Sequence, residues 1–130
     1  MANNKTTQAE NDVLDWLLQD RDVGCFLALF TGDPGEAGSV TNEVVAAVGY
    51  TRQAITFGDA ASGASANSAD VTFGPASGAG FGTVTHAGIC RAGTRDVADI
   101  IYYGPLTSSR LVEDTDTLVF ATGEVDVSEE

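Results

Sequence analysis

Hydrophobic and polar positions change their period once along this chain. Near the N-terminus Ala9, Val13 and Leu17, joined by Leu14 and Trp16, recur at helical spacing on a polar stretch, which predicts one helix over residues 9–20. Thr7 followed by Glu10 makes a capping box, and Glu10 and Asp12 suit the positive end of the helix dipole. Gly24 supplies a stop, although Asp20 and Asp22 fit a helix C-terminus badly and would end it as early as Leu18. The stripe must bury against something. Trp16 with three leucines is ordinary core material, so the sheet of the same chain is the expected partner and a neighbouring subunit the alternative.

Beyond Gly24 the pattern turns to short apolar or alternating runs separated by Gly, Pro, Asp and Ser, the mark of strands joined by turns. Residues 25–30 are apolar throughout and read as a central strand covered on both faces. Thr31-Gly32-Asp33-Pro34-Gly35 then turns the chain. Residues 50–57 alternate, with Gln53, Ile55 and Phe57 on one face and Tyr50, Arg52 and Ala54 on the other. Strands follow at 71–73, 83–90, 97–103 and 117–127, where Val119, Ala121, Val125 and Val127 share a face. Most of residues 58–82 are Gly, Ala or Ser, broken by Val71-Thr72-Phe73. Such a segment cannot build a core of its own; it reads either as a long loop ordered against a neighbour or as a pair of flexible surface loops. The expected fold is mainly β, a single β-sandwich or jelly-roll-like domain of about seven or eight strands with one N-terminal α-helix. Residues 1–8 are a polar arm, 9–127 the domain with its sandwich at 24–127, and 128–130 an acidic tail.

Charge narrows the partners. Against 19 Asp and Glu stand 6 Lys and Arg, a net charge of -13 over 130 residues. That field repels phosphate backbones and anionic lipid, which excludes nucleic acid and membrane as expected partners, and a basic protein surface suits it better. No run approaches the roughly 20 apolar residues that cross a bilayer, and the polar N-terminus does not read as a signal segment, so synthesis in a cytoplasm is expected. Cys25 and Cys90 both lie in apolar runs. In a reducing compartment they are expected as buried thiols, a bridge between them being the alternative if their strands face each other.

Little in the chain carries catalytic chemistry. His86, the single histidine, sits in an alternating run with no second ligand at metal spacing and no local nucleophile or orienting acid. It is expected as a half-buried strand histidine, a pH-sensitive contact being the alternative. Glu113, Asp114 and Asp116, with Asp126 and Glu129 further on, could gather oxygen ligands for calcium but lack EF-hand spacing; Asp-rich turns are the expected reading. No glycine pattern cradles phosphate. No catalytic, metal or cofactor residues are therefore assigned, and the chain is not expected to be an enzyme. Arg52, mid-strand in a chain with few cations, is expected to pair with an acid of the same chain, a subunit interface being the alternative.

Read in order, several stretches resemble a family of small bacteriophage virion proteins often labelled tail fibre protein. They are Leu27-Ala28-Leu29-Phe30-Thr31-Gly32-Asp33-Pro34, then Glu43-Val44, then Gly49-Tyr50-Thr51-Arg52-Gln53-Ala54-Ile55-Thr56-Phe57. Val71-Thr72-Phe73, Val84-Thr85-His86-Ala87-Gly88-Ile89, Tyr103-Gly104-Pro105-Leu106 and Asp116-Thr117-Leu118-Val119-Phe120 continue the order over about residues 24–127. The chain departs at Phe73-Gly74-Pro75 and Cys90-Arg91. The resemblance implies a virion structural role and brings no catalytic residues. Compact size and the absence of a coiled-coil or fibrous repeat lead to the expectation of a capsid decoration (cement) protein. It would sit on the outer surface of the shell, bind the major capsid protein and copies of itself as a homotrimer, and brace the shell against internal DNA pressure. A tail or baseplate fibre or adhesion module is the first alternative, a receptor- or glycan-binding sandwich the second. Trp16, Arg52, Tyr102 and Tyr103 are the candidate interface residues, the two tyrosines being the ones a glycan would meet.

Overall fold

A computed structural model describes residues 4–20 and 24–129. Its order is helix α1 (Thr7–Asp15), a π-helical turn (Trp16–Asp20), β1 (Cys25–Phe30), a short 3-10 turn (Ala46–Val48), β2 (Gln53–Ile55), β3 (Ala64–Ala66), β4 (Val71–Phe73), β5 (Gly82–Cys90), β6 (Ile100–Val112), β7 (Leu118–Phe120) and β8 (Asp126–Ser128). An antiparallel sheet runs β2-β1-β5-β6, and β3 pairs with β8 and β4 with β7 in two smaller sheets. The result is mainly β and sandwich-like. Leu27, Leu29, Val84 and Ile89 of the large sheet share one apolar cluster with Val71, Phe73, Leu118, Phe120 and Val127 of the small ones. Tyr50 lies at its centre, stacked on Phe73 with ring centroids 5.9 Å apart and edge-on to Phe81.

β1 behaves as its apolar run requires, because strand neighbours point to opposite faces and here both faces are covered. Leu27 and Leu29 enter the main cluster, whereas Ala28 and Phe30 join Cys90 in a second one with Val40 and Ile100. The same alternation separates the cysteines. Phe26 stands opposite Cys90, so Cys25 points to the other face, among the main cluster. Both thiols are buried and unbridged, and burial pushes Cys90 up to about 12.

Several expectations need correction. The helix starts at Thr7 and its cap is Thr6, whose hydroxyl accepts from the Ala9 N–H at 3.2 Å, not the Thr7–Glu10 box. Gln8 lies inside the helix and Lys5 bonds Glu129 at 2.6 Å, so the described parts of the N-terminal arm and of the C-terminal tail are tied down. Helical backbone continues past Leu18 to Asp20; the stop before Gly24 lies outside the described residues, as do Met1–Asn3 and Glu130. Leu14 and Leu18 are buried, but Trp16 is 58% exposed. Two residues is about 200° around a helix, so Trp16 must face away from the two leucines it lies between.

The Gly/Ala/Ser segment is not a pair of free loops, nor does it wait for a neighbour. It contributes β3 and β4, and α1 docks on it: Asp15 accepts from the Ala60 N–H and Asn11 from the Gly63 N–H, both at 2.8 Å. The run 117–127 is two strands with a turn between them, closed by Glu124 N–H to Ala121 O. The turn resets the phase, so Leu118, Phe120 and Val127 are buried while Val119 and Ala121 are exposed. β6 is longer than the expected 97–103. It crosses an irregularity at which Leu106, Thr107, Ser108 and Ser109 stand opposite the single residue Thr85, a large bulge in an edge strand.

Candidate binding groove

Two polar constructions stand out, one closed and one open. The closed one surrounds Arg52. Glu43 sits beside Phe30 at the end of β1, and Arg52 just before β2, which brings their side chains together inside the protein. Arg52 donates through Nε to Glu43 Oε2 and through a terminal nitrogen to Oε1, both at 2.9 Å, with neither side chain exposed. The Tyr50 hydroxyl donates to Glu43 Oε2 at 2.7 Å and accepts from the Leu29 N–H. Arg52 also donates to Ala92 O, Val97 O and Asp99, and the Asp96 N–H caps Glu43. Residues 91–99, which have no strand of their own, are thereby held against the sheet. Among the described residues no buried side-chain nitrogen or oxygen lacks a partner.

Burial alone would raise the Glu43 carboxyl, but the donors from Arg52, Tyr50 and Asp96 outweigh it and hold the group below the usual carboxylate range. Burial likewise opposes the Arg52 charge, and the Glu43 hydrogen bonds hold its pKa above the ordinary value. Arg52 is therefore the internal ion pair expected of it and is absent from the surface of the chain. The whole knot is a structural clamp.

The open construction is a groove of about 540 Å³ between the β5–β6 pair and the β7–β8 segment. Its floor is Leu27, Ala87 and Ile89, with Tyr102 and Leu106 of β6 on one wall and Phe120, Val125 and Val127 on the other. Glu124, Asp126, Ser128 and Thr107 add polar atoms. Side-chain bridges span it. Arg110 lies over the Phe120 ring, 5.4 Å from its centroid, and donates to Val119 O at 3.3 Å and Glu124 at 3.4 Å. The Tyr102 hydroxyl donates to Glu129 Oε2 at 3.0 Å, and Lys5 holds the other carboxylate oxygen. The Lys5 hydrogen bond keeps Glu129 below the usual carboxylate range; burial, then Glu129, push Tyr102 up.

The four candidate interface residues do not come together. Tyr102 pairs with Ile89, itself opposite Leu27, and so faces the groove. Tyr103 pairs with Gly88, itself opposite Ala28, and projects from the other face with 41% of its surface exposed. Neighbours on a strand cannot form one aromatic platform, so the expected pair of exposed tyrosines is divided between two faces. Trp16 belongs to the helical end. His86 Nδ1 bonds the Thr85 hydroxyl at 2.8 Å, and Asp116 caps the Glu113 N–H in a turn. Among the described residues no three His, Cys, Asp or Glu side chains are placed to hold a metal ion, and no helix is long and apolar enough to cross a membrane.

Asn67 escaped the sequence reading altogether. Buried between β3 and β4, it accepts from the Gly123 and Val125 N–H groups and donates to Ala69 O and Ala121 O. A lone Asn in a Gly/Ala/Ser stretch carries no periodic signal. Its role is visible only once the β7–β8 turn folds over it and becomes the second wall of the groove.

Residues 4–128 match the family model described as Podophage GP4 fiber I protein gp80. A search of the curated proteins found no match to this chain.

Proposed function

Because the chain belongs to the Podophage GP4 fiber I protein gp80 family, we propose that it is a non-enzymatic fibre component of a phage virion, a β module of the tail. The single observation that carries this reading is a family match running almost from end to end of the chain. It favours the tail-fibre alternative over the capsid decoration role expected from compact size and the absence of a coiled-coil or fibrous repeat. Strands of three to thirteen residues packed around one main cluster make a globular unit, with neither a coiled coil nor a fibrous repeat. Within a fibre such a unit is a head or an attachment module, and the shaft is built by other sequence. The knot at Arg52 and the satisfied interior suit a particle that must persist outside a cell.

Cryo-electron microscopy of the virion carrying this chain tests the proposal. Density matching the module on the tail is the expected result. Many symmetric copies on the icosahedral shell would overturn it and restore the decoration reading.

A further inference from the structure

We propose that the groove between β6 and the β7–β8 segment receives an extended, basic segment of a partner protein, in which apolar and cationic side chains alternate. Above the buried Leu27 and Ile89, the partly exposed Ala87, Tyr102, Leu106 and Val125 give the groove its apolar surface, and among the described residues β6 pairs only with β5. Its outer edge can therefore hydrogen-bond a strand laid beside it, while alternate side chains of that strand enter the groove.

Charge selects the occupant. The chain carries -13, and Lys5, Arg52, Arg95 and Arg110 are each already matched to a carboxylate. Among the described residues that line the groove, Asp126 and Glu124 are the carboxylates and Arg110, already paired with Glu124, is the one cation. Cationic side chains approaching this wall meet an attractive field that an anionic segment would not. A second copy of the chain would bring another -13 against the first. A saccharide would find the Tyr102 hydroxyl already given to Glu129, Phe120 lying under Arg110, and the Tyr103 side chain directed to the other face of the strand. The inference holds wherever in the virion the chain sits.

The experiment is an amide-resolved NMR titration of the full isotope-labelled chain. The probes are an octapeptide alternating lysine and valine, its glutamate–valine counterpart, and chitohexaose. The expected result is saturable shifts from the lysine–valine peptide alone, confined to residues 87–89, 102–111 and 124–128. Asp126→Lys, an exposed change that leaves the core intact, should weaken that binding about tenfold. Leu106→Asp should abolish it. Shifts scattered over the acidic surface, equal binding of the glutamate peptide, a response to chitohexaose, self-association in place of peptide binding, or no saturable response would each overturn the proposal.

Discussion

Glu43 and Arg52 meet through two parallel hydrogen bonds with both side chains fully enclosed. Removing one partner leaves the other charged and enclosed away from the surface, so Arg52→Ala should cost about 3–5 kcal/mol, read as a lower urea midpoint. Replacing both, as Glu43→Gln with Arg52→Met, should cost less than the two single changes added together, because neither charge is then stranded. Acid should act through the same residue. Glu43 is held below its ordinary value in the folded protein, and Glu129 shifts the same way. Their contribution is complete above the unfolded value of about 4.3 and is lost as pH falls through the folded one. The urea midpoint should therefore hold steady down to about pH 5 and drop below it, with a shallower drop in Glu43→Gln. An internal partner for Arg52 was legible because an arginine in an alternating run among 19 acids rarely lacks one. Which acid it takes was not, since the segment leaving β1 must loop back to Phe30 to present Glu43.

Strands announced themselves where both faces are buried or where short apolar runs stand between turn residues. Cys25–Phe30 and Val71–Phe73 lie where their patterns place them. β3 was invisible, because Ala64-Ser65-Ala66 has no apolar contrast to read and becomes a strand only by pairing with β8. The β7–β8 region misled for a related reason: alternation holds only while the backbone stays extended, and the turn after Phe120 breaks it. Asn67 fastens that turn. Asn67→Ala would leave the Val125 N–H without its acceptor, at about 1–3 kcal/mol for a group left unsatisfied, whereas the Gly123 N–H keeps the Asn67 backbone carbonyl. Hydrogen exchange should show the Val125 amide losing protection while β1 and β5 keep theirs, so the groove wall loosens before the sheet does.

For the molecule as a whole, -13 on a single small domain is a standing self-repulsion. Salt shortens its reach to about 10 Å at 0.1 M. Raising sodium chloride from about 20 mM to about 200 mM should lift the thermal midpoint by a few degrees, since the enclosed Glu43–Arg52 pair is screened far less than the exposed acids. A midpoint that falls instead would mean that exposed pairs such as Arg110–Glu124 outweigh the net charge. On the proposed reading the same field would favour basic or neutral partners over acidic ones.

The amino-acid order by itself determined the composition of this protein's surface field, the existence of one helix followed by strands, and the ordered stretches that resemble phage virion proteins. These are local or additive properties: a period, a turn residue, a sum of charges. Only the tertiary structure decided that Trp16 faces outward, that Tyr102 and Tyr103 part to opposite faces, and that Glu43, Tyr50, Arg52 and Asp99 close into one knot. It also decided that a groove opens beside β6. Each of these depends on register and on which distant segment packs where, and a one-residue change of strand phase, invisible in composition, would reverse it.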